Sequence, residues 1–410
     1  MNLRTYFFLF LIFFVQLVAN AAALECPQPY KNKNARGSLT YLWHLEVIGA
    51  DLAKDFNKGK QLATFGVAIV DVSLPSKCNC PHSVISSPTY IDNITAAEKI
   101  HGQLVSSILN GPNGATDIDE FYHQIVDDYF RKDGGSYAAE LEKAKKSSKG
   151  LKVVNYSVKA SLDLATNRIK DFKKLDEQGV ITVIPSGNDG KRISDPSQFE
   201  NLFPGIVVEG FNYKGQRWRN SNTTPRSLVI APADDLATLN GDGDPNLKSG
   251  TSLAGPLVSG SIVNALGFLP DMNRPIVEEL IKATSIKMDK VKSKFAGQSA
   301  PGMLNSYKMV RVADRIRIEL SKTKIKDPNE IRAFISAELK KPQTVNFSVE
   351  AKQLANAASK VIVSDRCSDL STAEKALRSS YLLEPTPETK GLLVKVYEKM
   401  GFKLNADFYR

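Results

Sequence analysis

Continuous apolar runs of strand length, each followed by a stretch of helical period, constrain the fold of this chain more than any other feature. Residues 63–72 read ATFGVAIVDV. A run with no polar alternation has no wet face, which suits a parallel strand covered on both sides. The pattern recurs in LKVVNYSV (151–158), VITVIP (180–185), GIVVEGFN (205–212) and SLVIAPA (227–233). Between these runs lie helical periods. Residues 101–111 are apolar at Leu104, Val105, Ile108 and Leu109 and close on Gly111, residues 165–179 close on Gly179, and residues 274–286 repeat the pattern. Short strands alternating with helices predict an α/β fold, a mostly parallel sheet covered by helices on both faces. In such sheets reactive side chains gather at the carboxyl ends of the strands. At 410 residues the chain has room for one large domain and a smaller one.

The ends of the chain differ from this middle. Arg4 precedes an apolar segment that closes on the small residues ANAAA, 19–23. That segment is short of the roughly 20 residues a spanning helix needs. Residues 1–23 therefore read as a secretory signal peptide, with an uncleaved anchor as the alternative. The expected organisation is a signal at 1–23, an N-terminal extension at 24–60, the main domain at 61–315 and a Lys-rich, small helical region at 316–410. The C-terminal helices are expected either to pack on the main domain or to dock a partner. Export, to a periplasmic or extracellular location, would take Cys26, Cys78, Cys80 and Cys367 into an oxidising compartment and favour disulfides. Cys78 and Cys80 are too close to pair comfortably, and the three possible pairings stay open. A metal at Cys78 to His82 is the weaker reading, because export favours disulfides. The net charge of +10 permits contact with acidic surfaces. No Lys/Arg run with interleaved aromatics accompanies it, which argues against nucleic acid as a partner.

Chemistry concentrates in four places. The stretch NLKSGTSLAGPLVSGSI, 246–262, sets Ser252 between Gly250 and Gly255 ahead of an apolar helix. Pro256 reads as part of the first helical turn, where no intrahelical N–H bond is lost. Ser252 then stands among unpaired backbone N–H groups at the positive end of the helix, a suitable place for a nucleophile that generates an oxyanion. Asp71 falls at the carboxyl end of a strand, His101 opens the next helix, and Asn188 sits in the polar turn after VITVIP. These residue types fit acyl transfer. His101 would take the Ser252 proton, Asp71 would fix and stabilise the imidazole, and the Asn188 amide with the Ser252 N–H would donate to the oxyanion. Each residue alone is common in turns and caps; their conjunction carries the reading. A small-molecule hydrolase with Gly-x-Ser-x-Gly chemistry is disfavoured because Ala254, not glycine, stands two after the serine.

In this order, IVDVS, HGQLVSSI, PSGNDG and SGTSLAGPLVSG resemble the four active-site motifs of the subtilisin-like serine peptidases, or subtilases. The resemblance spans residues 61–313, including VVNYSV, which is similar to the family's substrate-binding strand. It implies a subtilisin-like α/β fold, protein or peptide substrates, and an Asp71–His101–Ser252 triad with Asn188 in the oxyanion hole. It implies no cofactor for the chemistry. Structural calcium is common in the family and is assigned to no residues here; the acidic stretch 233–246 reads as a surface loop. The chain departs from the family at Val72–Ser73, Gln103, Leu104, Lys159 and Pro185–Ser186–Gly187. It also leaves no room between residues 23 and 61 for the family's usual propeptide. The departures at Val72, Ser73, Gln103 and Leu104 support an alternative, a catalytically degenerate subtilisin-fold protein that acts as a binding module. His44, His82 and His123 gain no role from either reading.

Overall fold

A computed structural model of the chain describes residues 40–72, 83–85, 96–111, 114–116, 122–126, 137–146, 150–158, 162–239, 245–295, 300–364 and 366–410. Residues 1–23, read above as a signal, and Cys26, Cys78 to His82 and Lys159 lie outside them. In chain order the first elements are α1 (Trp43–Glu46), α2 (Ala50–Asn57), β1 (Gly66–Asp71), β2 (Ser83–Ile85), α3 (Ala96–Leu109), β3 (Tyr122–Val126), α4 (Tyr137–Lys145) and β4 (Leu151–Tyr156). The chain continues through α5 (Leu162–Glu177), β5 (Ile181–Pro185), α6 (Phe199–Leu202), β6 (Ile206–Phe211), β7 (Ser227–Pro232), β8 (Leu236–Leu239), β9 (Pro245–Lys248), α7 (Thr251–Phe268), α8 (Arg274–Thr284) and β10 (Gly302–Met303). Helices complete it: α9 (Ser306–Ser321), α10 (Pro328–Leu339), α11 (Pro342–Val345), α12 (Ser348–Val361), α13 (Cys367–Leu383), α14 (Pro387–Lys399) and α15 (Lys403–Tyr409).

Among the described residues eight strands form one sheet in the order β10-β7-β6-β5-β4-β1-β3-β2, every pairing parallel. The α/β fold class follows from this sheet and its helical covers. Val67, Ile69, Val153, Ile181, Val183, Ile206 and Val208 face the larger core, built around α7. Ala68, Val70, Val154, Tyr156, Ile184 and Val207 face the second, under α4 and α5. Period-two alternation is therefore present, but both faces are dry, and the strands read as unbroken apolar runs. Tyr156, Phe172 and Phe203 meet edge to face under the second face, with ring centroids 5.1 Å apart in each contact. Strands β1 and β4 are neighbours from which the chain winds outward in both directions, so a topological switch point opens at their carboxyl ends.

Two local expectations are corrected. His101 does not open its helix, because α3 starts at Ala96; the helix-favouring run Ala96-Ala97-Glu98-Lys99 extends it toward the N-terminus. Pro256 lies inside α7, one turn beyond its start at Thr251. The helix tolerates it for a reason that emerges at the site.

The segment from Thr40, the sheet and the C-terminal helices share the larger core. Helix α9 runs through residue 315 without a break. The Asn305 side chain donates to the Leu382 carbonyl (2.6 Å), and the Trp43 indole N–H donates to the Asp235 carbonyl (3.0 Å). Buried Arg378 on α13 pairs with Asp51 on α2 and with Glu374, which also accepts from the Tyr397 hydroxyl at 2.6 Å. Removing a buried guanidinium strands its carboxylates, so Arg378→Met should lower stability by about 3–5 kcal/mol in urea unfolding. Desolvation in this cluster, reinforced by Glu374 and opposed by Arg378, pushes the Glu46 carboxyl from 4.5 up to about 7. The folded state keeps a proton that the unfolded chain releases, so this group makes stability fall as pH rises from about 4.5 through about 7. Glu46→Gln should accordingly raise the thermal midpoint at pH 8 relative to the native chain and leave it little changed near pH 4.

Candidate active site

Asp71 ends β1 at the switch point and is fully buried. Its Oδ1 accepts from the Val72 backbone N–H (2.7 Å) and lies 2.6 Å from His101 Nδ1, while Oδ2 is buried without a partner among the described residues. With the carboxylate ionised, Nδ1 must carry the imidazole proton, which leaves Nε2 as an acceptor. Nε2 sits 3.0 Å from Ser252 Oγ. The sheet, α3 and α7 thus bring the three predicted residues into one hydrogen-bonded chain.

Of all residues in α7, Ser252 alone is not buried. Around it the first-turn N–H groups are divided. The Thr251 N–H donates to Asn188 Oδ1 (2.9 Å) and the Leu253 N–H to the Gly250 carbonyl (3.0 Å), while the Ser252 N–H has no partner among the described residues. The Thr251 hydroxyl also donates to Asn188 Oδ1 (2.7 Å) and accepts from the Gly187 N–H (3.2 Å). Two donors on its oxygen fix the amide orientation and leave Asn188 Nδ2 directed elsewhere, 3.6 Å from where a Gly250 side chain would begin. Both predicted oxyanion donors are therefore unengaged and flank one space.

The turn that carries Asn188 is shaped by Asn222, a buried residue that sequence reasoning missed. Asn222 Oδ1 accepts from the Asp189 N–H (3.1 Å) and the Lys191 N–H (2.8 Å). Gly187 has φ +99°, and a Cβ there would stand 2.4 Å from Asn222 Nδ2, so glycine is required on two grounds. Thr251, Ser157 and Asn155 were also missed as site residues. Thr251 was visible as part of Gly-Thr-Ser and Ser157 as part of NYSV, but no spacing marks Asn222.

Among the described residues no group of three His, Cys, Asp or Glu side chains converges as a cation ligand set. Residues 240–244 of the acidic stretch lie outside them. Asp234 Oδ1 accepts from the Ser249 hydroxyl (3.0 Å). Among the described residues no helix is long and apolar enough to cross a membrane.

The fold is of α/β class, and the family match below makes the chain a member of a serine peptidase family. Residues 75–310 match the model of the Subtilase family, more than half the chain, and the chain belongs to that family. The matched span opens just after Asp71 and ends within α9. Among solved structures, a cold adapted subtilisin-like serine proteinase is similar at 18% identity and a TM-score of 0.47, covering 61% of this chain and 92% of that one. No curated protein sequence matches the chain.

A side chain at position 250 would begin 3.1 Å from Ser252 Oγ and 3.6 Å from Asn188 Nδ2, in the space the donors flank. The backbone there is extended, with φ 165°. Gly250→Ala should therefore leave the thermal midpoint nearly unchanged yet reduce fluorophosphonate labelling of Ser252 by about 100-fold or more, the scale of a lost oxyanion site.

Proposed function

We propose that this subtilase is an exported serine endopeptidase that cleaves peptide bonds through an acyl-enzyme on Ser252. The observation that carries this reading is the unbroken contact from buried Asp71 through His101 to Ser252. Ser252 Oγ attacks the scissile carbonyl as its proton passes to His101 Nε2. Asp71 holds the ring in the required tautomer and offsets the imidazolium charge. The Ser252 N–H and Asn188 Nδ2 donate to the tetrahedral oxyanion. His101 then returns the proton to the leaving amine, which departs as the C–N bond breaks. A water attacks the ester by the same path and frees the carboxylic acid and Ser252. Four side chains and a water handle every proton and electron pair, so the cycle calls on no cofactor.

Protein or peptide substrates follow from this chemistry. The export reading draws support from the N-terminal apolar segment, and the disulfide reading from the fact that no cysteine among the described residues is a free thiol. The contacts of α13 and α15 with residues 40–57 favour an integral role for the C-terminal helices over the docking of a partner.

Fluorophosphonate labelling of the purified mature protein tests the proposal directly. The native chain should label and cleave a denatured protein substrate, and Ser252→Ala should abolish labelling and lower kcat by about 10⁶-fold, as known for subtilases. Asn188→Ala should keep labelling detectable while kcat falls by about 10²–10³-fold, the range known for losing one such donor in subtilases. A folded native chain that neither labels nor cleaves would overturn the proposal and favour the degenerate reading or a zymogen awaiting processing.

A further inference from the structure

In an α-helix the carbonyl of one residue is closed by the N–H four positions on. For Ser252 that position is Pro256, which has no N–H. The Ser252 carbonyl would be left without its helical partner in a part-buried setting, at appreciable cost. It is met instead from the sheet, where the Ser157 hydroxyl, just past the end of β4, donates to it at 3.1 Å. A hydroxyl has one proton, so this donation commits it. The Ser157 oxygen in turn accepts from Asn155 Nδ2 (2.9 Å), and Asn155 Oδ1 accepts from the Ser259 hydroxyl (3.1 Å). Asn155, Ser157 and Ser259 are all buried. The relay leaves α7 at Ser252, crosses the strand end, and re-enters α7 at Ser259, spanning the gap that Pro256 makes.

We infer that Ser157 is a positioning residue for the nucleophile, supplying the hydrogen bond that Pro256 withholds. The inference rests on Ser252 being the nucleophile, as proposed above. The peptide linking Ser252 to Leu253 is held at both ends, its oxygen by Ser157 and its N–H by the Gly250 carbonyl. That clamp sets ψ at Ser252 and keeps the residue's own N–H free for the oxyanion. A carbonyl closed by the helix's own N–H would not be tied to the strand; this one is bonded to the residue just past β4.

The test is a double-mutant cycle in the full chain, with kcat and KM measured on a fluorogenic peptide and thermal midpoints recorded for every variant. Ser157→Ala should lower kcat about tenfold, the rate equivalent of one hydrogen bond, with KM unchanged within about twofold. In a Pro256→Ala background the N–H of residue 256 can close on the Ser252 carbonyl. There the same Ser157 change should cost less than about threefold. Ser157→Cys, close in volume with a weaker donor, should fall between and covers the case in which the alanine variant does not fold. Equal losses in both backgrounds, or a loss in KM alone, would reduce Ser157 to strand packing and overturn the inference. A native chain that fails to label with fluorophosphonate removes the nucleophile and this inference together. A labelled native chain with Ser157→Ala at full kcat removes this inference alone.

Discussion

A helix that is apolar on every side can exist only where every side is covered. Helix α7 is such an element: Leu253, Leu257, Val258, Ile262, Val263 and Leu266 point in different directions and are all buried. The sheet supplies one wall, and α2, α3 and α9 supply the others. Burying these side chains fixes the depth and axis of α7, and with them the place where its first turn reaches the strand ends. Ser252 emerges there because the rest of the helix cannot. The polar residues that α7 does carry are met inside the core, Ser261 by the Leu257 carbonyl and Asn264 by Thr116 and the Ala115 carbonyl.

From this placement the site is assembled by hydrogen bonds that each remove one freedom. Asp71 fixes the His101 ring, Thr251 fixes the Asn188 amide, and Asn222 fixes the turn beneath it. Donors held this way need no reorganisation as charge develops on a reacting carbonyl, which is the source of most electrostatic catalysis. What stays unengaged is as ordered as what is bonded. The Ser252 N–H and Asn188 Nδ2 lack partners among the described residues, while the N–H groups of Thr251, Leu253 and Gly187 are taken.

The union of the N-terminal segment with the C-terminal helices follows different physics. Residues 40–57 lie against α13 and α15, and their contacts mix apolar packing with a buried group of charges around Arg378. Asn405 on α15 exchanges hydrogen bonds with Thr40, and Phe408 packs against Phe211 at the end of β6. A buried guanidinium shared among carboxylates is costly to break and weakly favourable to form, so it specifies which segments meet more than it adds to stability. It also makes the union of N-terminal segment and C-terminal helices sensitive to pH through Glu46.

Much of this was legible along the chain, because strand runs with two dry faces and a helix with no polar face are one-dimensional patterns. The sheet and its covers could be read from residues 63–72 and their repeats, and Asp71, His101, Asn188 and Ser252 from where they fall in those repeats. Helix starts were harder. Thr95 and Glu98 spell a capping box ahead of Ala96 that was passed over in favour of His101, and Pro256 looked like a first-turn proline because local rules know only local donors. Asn222, the Ser157 bridge and the meeting of Asp51 with Arg378 were not legible at all, since each joins residues that only folding brings together. The sequence by itself determined which residues could do chemistry and which faces had to be dry. Tertiary structure decided how each group is aimed, because orientation is set by hydrogen bonds between segments distant in the chain, such as the hydroxyl of Ser157 closing the carbonyl that Pro256 leaves open.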